Sequence, residues 1–294
     1  MALMPAADID ITVPLVRRLL AGQAPDLASL PLQLAPNGWD NAMFRLGRGL
    51  AVRLPRREAA VPLLQHEQQW LPQLTAGLGI ATPAPLRCGR PSSLFPRPWS
   101  VVPWIEGTTA ARVPVGERRQ AAADLGAFVA AFHRPAPADA PYNPVRGVPL
   151  ASRDEHVRAR LATGLIPYRG EVERLWPDLR DTPPWQGPPI WLHGDLHPEN
   201  LILAGGGLAA VIDFGDLTAG DPATDLAAAW LVFDEAGRRI FQHRVNDAAP
   251  VDAATWRRAR GWALSMATAL LSASDDNPAM RLLGEEVLVQ VLAG

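Results

Sequence analysis

Apolar residues change their spacing along this chain. Ile11, Leu15, Leu19 and Leu20 recur at helical intervals and predict an opening amphipathic helix over 10–21. Leu32-Gln33-Leu34 then predicts a strand, Pro36-Asn37-Gly38-Trp39-Asp40-Asn41 a turn cluster, and 43–46 with 50–54 a hairpin about Gly47-Arg48-Gly49. A helical period over 57–74 encloses Glu67, and strands are expected near 86–88 and over 99–105. Beyond Gly107 helices dominate: 115–133, 152–160, 171–179, 235–245, 252–272 and 278–292, with a proline-rich loop over 134–150. One further helix should start at Asp221 as N-cap with Pro222 at N1. The change at Gly107 predicts an α+β chain of two lobes, a sheet lobe over 1–107 and a mainly helical one over 108–294.

Within the helical part, 191–215 reads WLHGDLHPENLILAGGGLAAVIDFG. His193, Asp195 and Asn200 stand in the order H-x-D-L-x-x-x-N, and Asp213-Phe214-Gly215 begins thirteen positions after Asn200. These are the catalytic-loop and metal-loop motifs of the kinase signature set. Phosphoryl transfer needs a carboxylate to orient the attacking hydroxyl and accept its proton, a task for Asp195. It also needs hard oxygen ligands for Mg²⁺, which Asn200 and Asp213 supply. Strands over 189–192, 201–203 and 208–212, the last two joined at Gly205-Gly206-Gly207, should deliver Asp213 beside Asn200. His193 and His197 are four apart and suggest zinc, but that spacing needs a helix, which Gly194 and Pro198 oppose.

Composition narrows the partners. A net charge of −2 gives no basic field for nucleic acid, and no apolar run is long enough for a membrane span. The one cysteine, Cys88, excludes an internal disulfide and fits a reducing cytoplasm. All 28 basic residues are arginine, which excludes Schiff-base chemistry and a Walker P-loop and leaves arginine to grip phosphate. Arg53 on the third strand stands where the kinase V-A-I-K pattern carries its lysine, and Glu67 is its expected helix partner. The loop with Gly38 and Asn41 can lay backbone N–H groups over phosphates. After Val102, the carbonyl of Pro103 and the N–H of Ile105 are the groups expected to meet a purine.

Together these segments resemble the aminoglycoside phosphotransferase family, small-molecule kinases with macrolide phosphotransferases among the relatives. The resemblance rests on Gly38-Trp39-Asp40-Asn41, Val52-Arg53-Leu54-Pro55-Arg56, Glu67 with Trp70-Leu71-Pro72, and Trp99-Ser100-Val101-Val102. It continues through His193-Gly194-Asp195-Leu196-His197-Pro198, Asn200, Ile212-Asp213-Phe214-Gly215 and Gly220-Asp221-Pro222-Ala223 with Asp225-Leu226-Ala227. It implies a two-lobed protein-kinase-like fold, Mg²⁺ with ATP or GTP as donor, and a hydroxyl acceptor such as an aminoglycoside or similar antibiotic. It makes Asp195 the base, Asn200 and Asp213 the metal ligands, and His193 and Asp225 supports of the catalytic loop. Well-studied members carry lysine where this chain has Arg53. A polycationic acceptor calls for carboxylates, and the candidates are Asp154, Asp216, Asp275 and Asp276, with Glu155, Asp234 and Glu235 as further acidic positions. Trp230, Trp176, Trp185 and Trp262 suit a bulky neutral acceptor. A metabolic kinase for an amino alcohol or sugar and a catalytically weak nucleotide-binding protein are the alternatives, and monomer and dimer both stay open.

Overall fold

The computed structural model describes residues 6–36, 38–272 and 277–294. Thr12 caps helix α1 (Val13–Gln23), accepting the Leu15 N–H at 3.4 Å, and Pro14 sits in the first turn. The helix therefore starts three residues later than the apolar spacing suggests. Strands β1 (Leu32–Leu34), β2 (Asn41–Leu46) and β3 (Leu50–Pro55) follow. Alternate burial along β2, with Ala42, Phe44 and Leu46 inward, is the period of a strand with one covered face. Helix α2 (Val61–Thr75) begins at Val61 because Pro62 fits only its first turn; residues 58–60 form a 3₁₀ turn instead. Strands β4 (Arg87–Gly89) and β5 (Trp99–Pro103) complete a five-stranded antiparallel sheet of order β1-β2-β3-β5-β4. Its apolar face packs with α1 into one core containing Val16, Phe44, Leu54, Phe95 and Trp99.

Past Pro103 the chain enters a second core. Strand β6 (Thr108–Thr109) pairs not with that sheet but with the later hairpin. Gly107 makes this entry feasible: its φ is +152°, and a Cβ there would lie 2.4 Å from Ile202 Cγ2. The expected long helix over 115–133 opens as 3₁₀ turns and becomes α-helical only in α3 (Ala122–Phe132). Buried Arg118 fixes those turns by donating to Val113 O at 2.8 Å and to Glu286 at 2.6 Å.

Helices α4 (Asp154–Ala162) and α5 (Arg169–Arg180) lead to β7 (Ile190–Leu192), then to the hairpin β8 (Leu201–Ala204) and β9 (Gly207–Val211). Strand β10 (Thr218–Gly220), read as loop from sequence, pairs antiparallel with β7. The helix after Asp221 is two short pieces, α6 (Ala223–Leu226) and α7 (Ala228–Leu231). Helices α8 (Glu235–Ala248), α9 (Ala253–Ser272) and α10 (Pro278–Ala293) close the fold. Among the described residues no helix is long and apolar enough to cross a membrane.

Candidate active site

The antiparallel pairing of β7 with β10 sets Thr218 opposite Leu192, so the segments that continue from these strands, 193–200 and 213–217, lie side by side. One buried carboxylate anchors them. Asp225 accepts the backbone N–H groups of His193 and Gly194, each at 2.8 Å, and the His133 ring lies 3.1 Å from the same group. His193 links the two segments: Nε2 donates to Ile212 O at 3.0 Å and Nδ1 accepts the Asp195 N–H at 3.2 Å. Ile212 N in turn donates to Asn200 O at 2.9 Å, bringing Asp213 beside Asn200. Asp213 holds a left-handed φ of 61°, an unfavourable backbone state for a residue with a side chain.

Gly194 is required by geometry. Its φ is +88°, and a Cβ would sit 2.4 Å from Asp216 O. Gly194→Ala is expected to lower stability by about 2 kcal/mol or more, from left-handed strain and this collision. Thermal melting checks this, and an unchanged Tm would show that the loop relaxes without cost.

Asp195 faces a guanidinium and an imidazole. Arg146 Nη2 donates to Oδ1 at 2.8 Å, and His197 Nε2 lies 3.1 Å from Oδ2. Burial opposes its ionisation, but His197, Arg146 and the hydrogen bonds outweigh it and hold the carboxyl well below its usual range. His197 moves the opposite way: burial disfavours the imidazolium, yet Asp195 raises it above an ordinary histidine. Neither Arg146 nor this role of His197 was legible in sequence, since Arg146 lies in the proline-rich loop outside any motif.

Asn200 uses its amide nitrogen on Asp195 O at 2.9 Å, which leaves its amide oxygen for another partner. Among the described residues no group of three or more His, Cys, Asp or Glu gathers to enclose a metal. One amide oxygen and the neighbouring Asp213 carboxylate are instead a sparse hard-oxygen set, which fits Mg²⁺ completed by water and phosphate.

On the sheet side, Arg53 and Glu67 form a fork, with Nη1 at 2.6 Å from Oε2 and Nη2 at 3.2 Å from Oε1. Burial works against the charge on Arg53, but Glu67 and then Asp213 overcome it and keep the guanidinium protonated. The Gly38 N–H closes a turn on Asn41 O at 3.0 Å, so it is committed within the loop and not presented to a phosphate as expected. Asn41 keeps a buried amide oxygen without a partner among the described residues. Val102 is buried in β5, Trp104 N donates to Gly49 O at 2.9 Å, and half-buried Pro103 and Ile105 flank that bond.

The acceptor candidates need correction. Asp154 accepts from Trp176 Nε1 at 2.8 Å and from Arg180 at 3.0 Å, which ties α4 to α5 and leaves it outside the cavity beside Asp195. Trp230 is core, with Arg238 stacked 5.6 Å over its ring and Trp256 against it. Asp216 sits behind Arg146, accepting from Asn143 Nδ2 at 2.8 Å; burial and then Asp195 push its carboxyl up. Asp234 caps α8 at Gly237 N and pairs with Arg119 at 2.8 Å, while exposed Glu235 pairs with Arg239 along α8. Trp176 and Trp262 are fully buried. Asp275 and Asp276 lie outside the described residues. What does open beside Asp195 and His197 is a cavity of ≈ 600 Å³, lined also by Trp39 and by Ser265 and Met266 of α9.

An antiparallel-sheet lobe over a helical lobe, with this loop pair at their junction, defines a kinase-like phosphotransferase fold. The chain belongs to the APH phosphotransferase enzyme family, whose sequence profile matches residues 31–262. Its fold is similar to that of APH(2")-IIia in the GDP and kanamycin complex, with TM-score 0.68 and 18% identity over 95% of this chain and 98% of that one. A macrolide 2'-phosphotransferase, MphH from Brachybacterium faecium, gives TM-score 0.62 and 18% identity over 92% and 97%. Among curated proteins, a homoserine kinase of Methylocella silvestris is 30% identical over 165 residues, 52% of this chain and 48% of that one. The matched part thus spans about half the length of that curated relative.

Proposed function

We propose that the chain is a Mg²⁺-dependent kinase moving the γ-phosphoryl group of ATP or GTP to a hydroxyl of a small molecule. The observation that carries this reading is the joined loop pair, in which one hydrogen-bond network holds Asp195, Asn200 and Asp213 together. Asp195 accepts the acceptor's hydroxyl proton as that oxygen bonds to the γ-phosphorus. The bond to the β–γ bridging oxygen breaks, and the nucleoside diphosphate leaves with its electron pair. Asn200 and Asp213 are the residues to hold Mg²⁺, which when bound neutralises phosphate charge. Arg53 faces the phosphates, held by Glu67, and the Pro103–Ile105 backbone meets the base. The nucleotide complexes among the structural relatives support a nucleotide donor.

The acceptor is less constrained by kinship. The solved relatives include an enzyme bound to kanamycin and a macrolide phosphotransferase, and the curated match is to a homoserine kinase. Of the described carboxylate candidates, Asp154, Asp216 and Asp234 are each bound within the protein, so none of these three is free for a polycationic acceptor.

Thermal-shift titration with ATP and GTP, with and without Mg²⁺, tests the donor half. A Mg²⁺-dependent rise in Tm is expected in the native chain and is expected to vanish in Asp213→Ala. A full Mg²⁺ response in that variant would remove Asp213 from the metal site.

A further inference from the structure

The walls of the cavity beside Asp195 carry three arginines, Arg146, Arg153 and Arg160. Arg146 is neutralised by Asp195 at 2.8 Å and Asp216 at 3.6 Å. Among the described residues no carboxylate neutralises the other two. Arg153 is 7% exposed, yet among the described residues it has no ion pair or hydrogen-bond partner for its side chain. Arg160 donates to Ser265 O at 3.1 Å and Thr268 Oγ1 at 3.4 Å, both uncharged. The neighbouring Asp154 is committed to Trp176 and Arg180.

Arg153 is buried and Arg160 half-buried, and keeping such cations without a counter-charge is costly, so a wall that holds both is matched to an incoming anion. The strain registers in the groups themselves. Burial, then repulsion by Arg153 and Arg146, brings Arg160 down to about 10, and burial with Arg146 lowers Arg153. Two wall carboxylates bear on the balance: Asp195 is occupied by Arg146 and His197, and Glu199 leaves room for a cationic group elsewhere on the same ligand.

We propose that the cavity binds an acceptor bearing an anionic group, a carboxylate or a phosphate, which Arg153 and Arg160 hold while its hydroxyl meets Asp195. This rests on the kinase reading given above and specifies its substrate class. A guanidinium fork recognises both kinds of anion, so the shared chemistry is a planar or tetrahedral oxyanion. Arginines in these places would repel a polycation.

The test is calorimetric titration of the chain with its nucleotide site filled by a non-hydrolysable ATP analogue and Mg²⁺. L-homoserine probes the carboxylate, glycerol 3-phosphate the phosphate, and kanamycin and ethanolamine the cationic alternatives. At least one anionic probe is expected to bind, and which one does so identifies the anion. Arg153→Met is expected to weaken that binding roughly ten- to hundred-fold, the worth of a charge-assisted bond. Arg153→Lys should restore part of it, and an unchanged nucleotide-induced Tm shift shows that both variants fold. Binding of neither anionic probe, equal binding by Arg153→Met, or binding and phosphorylation of kanamycin or ethanolamine instead overturns the proposal. Failure of the kinase reading looks different: the ATP analogue itself would produce no Mg²⁺-dependent Tm shift.

Discussion

Asp195→Asn is expected to lower kcat by roughly 10²–10⁴-fold, the usual worth of a general base, while the Mg²⁺-dependent Tm shift with nucleotide persists. The substitution is nearly isosteric and removes the negative charge that Arg146 and His197 enclose. The amide cannot take a proton from an attacking hydroxyl, although it can still hydrogen-bond to it. The loss therefore belongs in kcat, with a smaller change in acceptor KM. Steady-state assays on a phosphorylated acceptor separate the two. Unchanged turnover would remove Asp195 as base whatever the geometry.

Arg53→Met carries the largest expected stability effect. Glu67 is 1% exposed and Arg53 6%, so deleting the guanidinium leaves a carboxylate buried without its partner. Breaking such a pair costs about 3–5 kcal/mol. Arg53→Lys should cost less, because an ammonium keeps the charge and loses one arm of the fork. Urea unfolding of the three proteins measures both differences. A loss below about 1 kcal/mol for Arg53→Met would place the pair with exposed ion pairs and mean that Glu67 takes up a proton easily.

Much of this was readable beforehand, for identifiable reasons. The β2–β3 hairpin announces itself through two apolar runs about a glycine turn, and α9 through its long helical period. The catalytic stretch is legible because its residue types and spacing are tied to chemistry. Boundaries set by tertiary contacts were not: Gly116 only weakens an α-helix over 115–121, and two of the Arg118 contacts that hold its 3₁₀ turns, to Val232 O and Glu286, come from residues far along the chain. Three-residue β10 is too short for a period to show and exists through its pairing with β7. The acidic positions were misjudged because sequence shows a carboxylate and not its partner. Asp154 and Asp234 meet arginines and caps within the fold. Arg153 illustrates the converse, since its lack of a partner among the described residues is visible only in three dimensions.

The guanidinium at Arg53 has a bearing on how this enzyme class is detected. Reagents that tag kinases by acylating an amine at the phosphate site depend on a lysine that is partly unprotonated and nucleophilic. A guanidinium stays protonated and does not acylate under those conditions. With no lysine in the whole sequence, amine-directed profiling would pass over this chain even when it is abundant and active. Reagents selective for guanidinium groups would reach the exposed arginines first and buried Arg53 last.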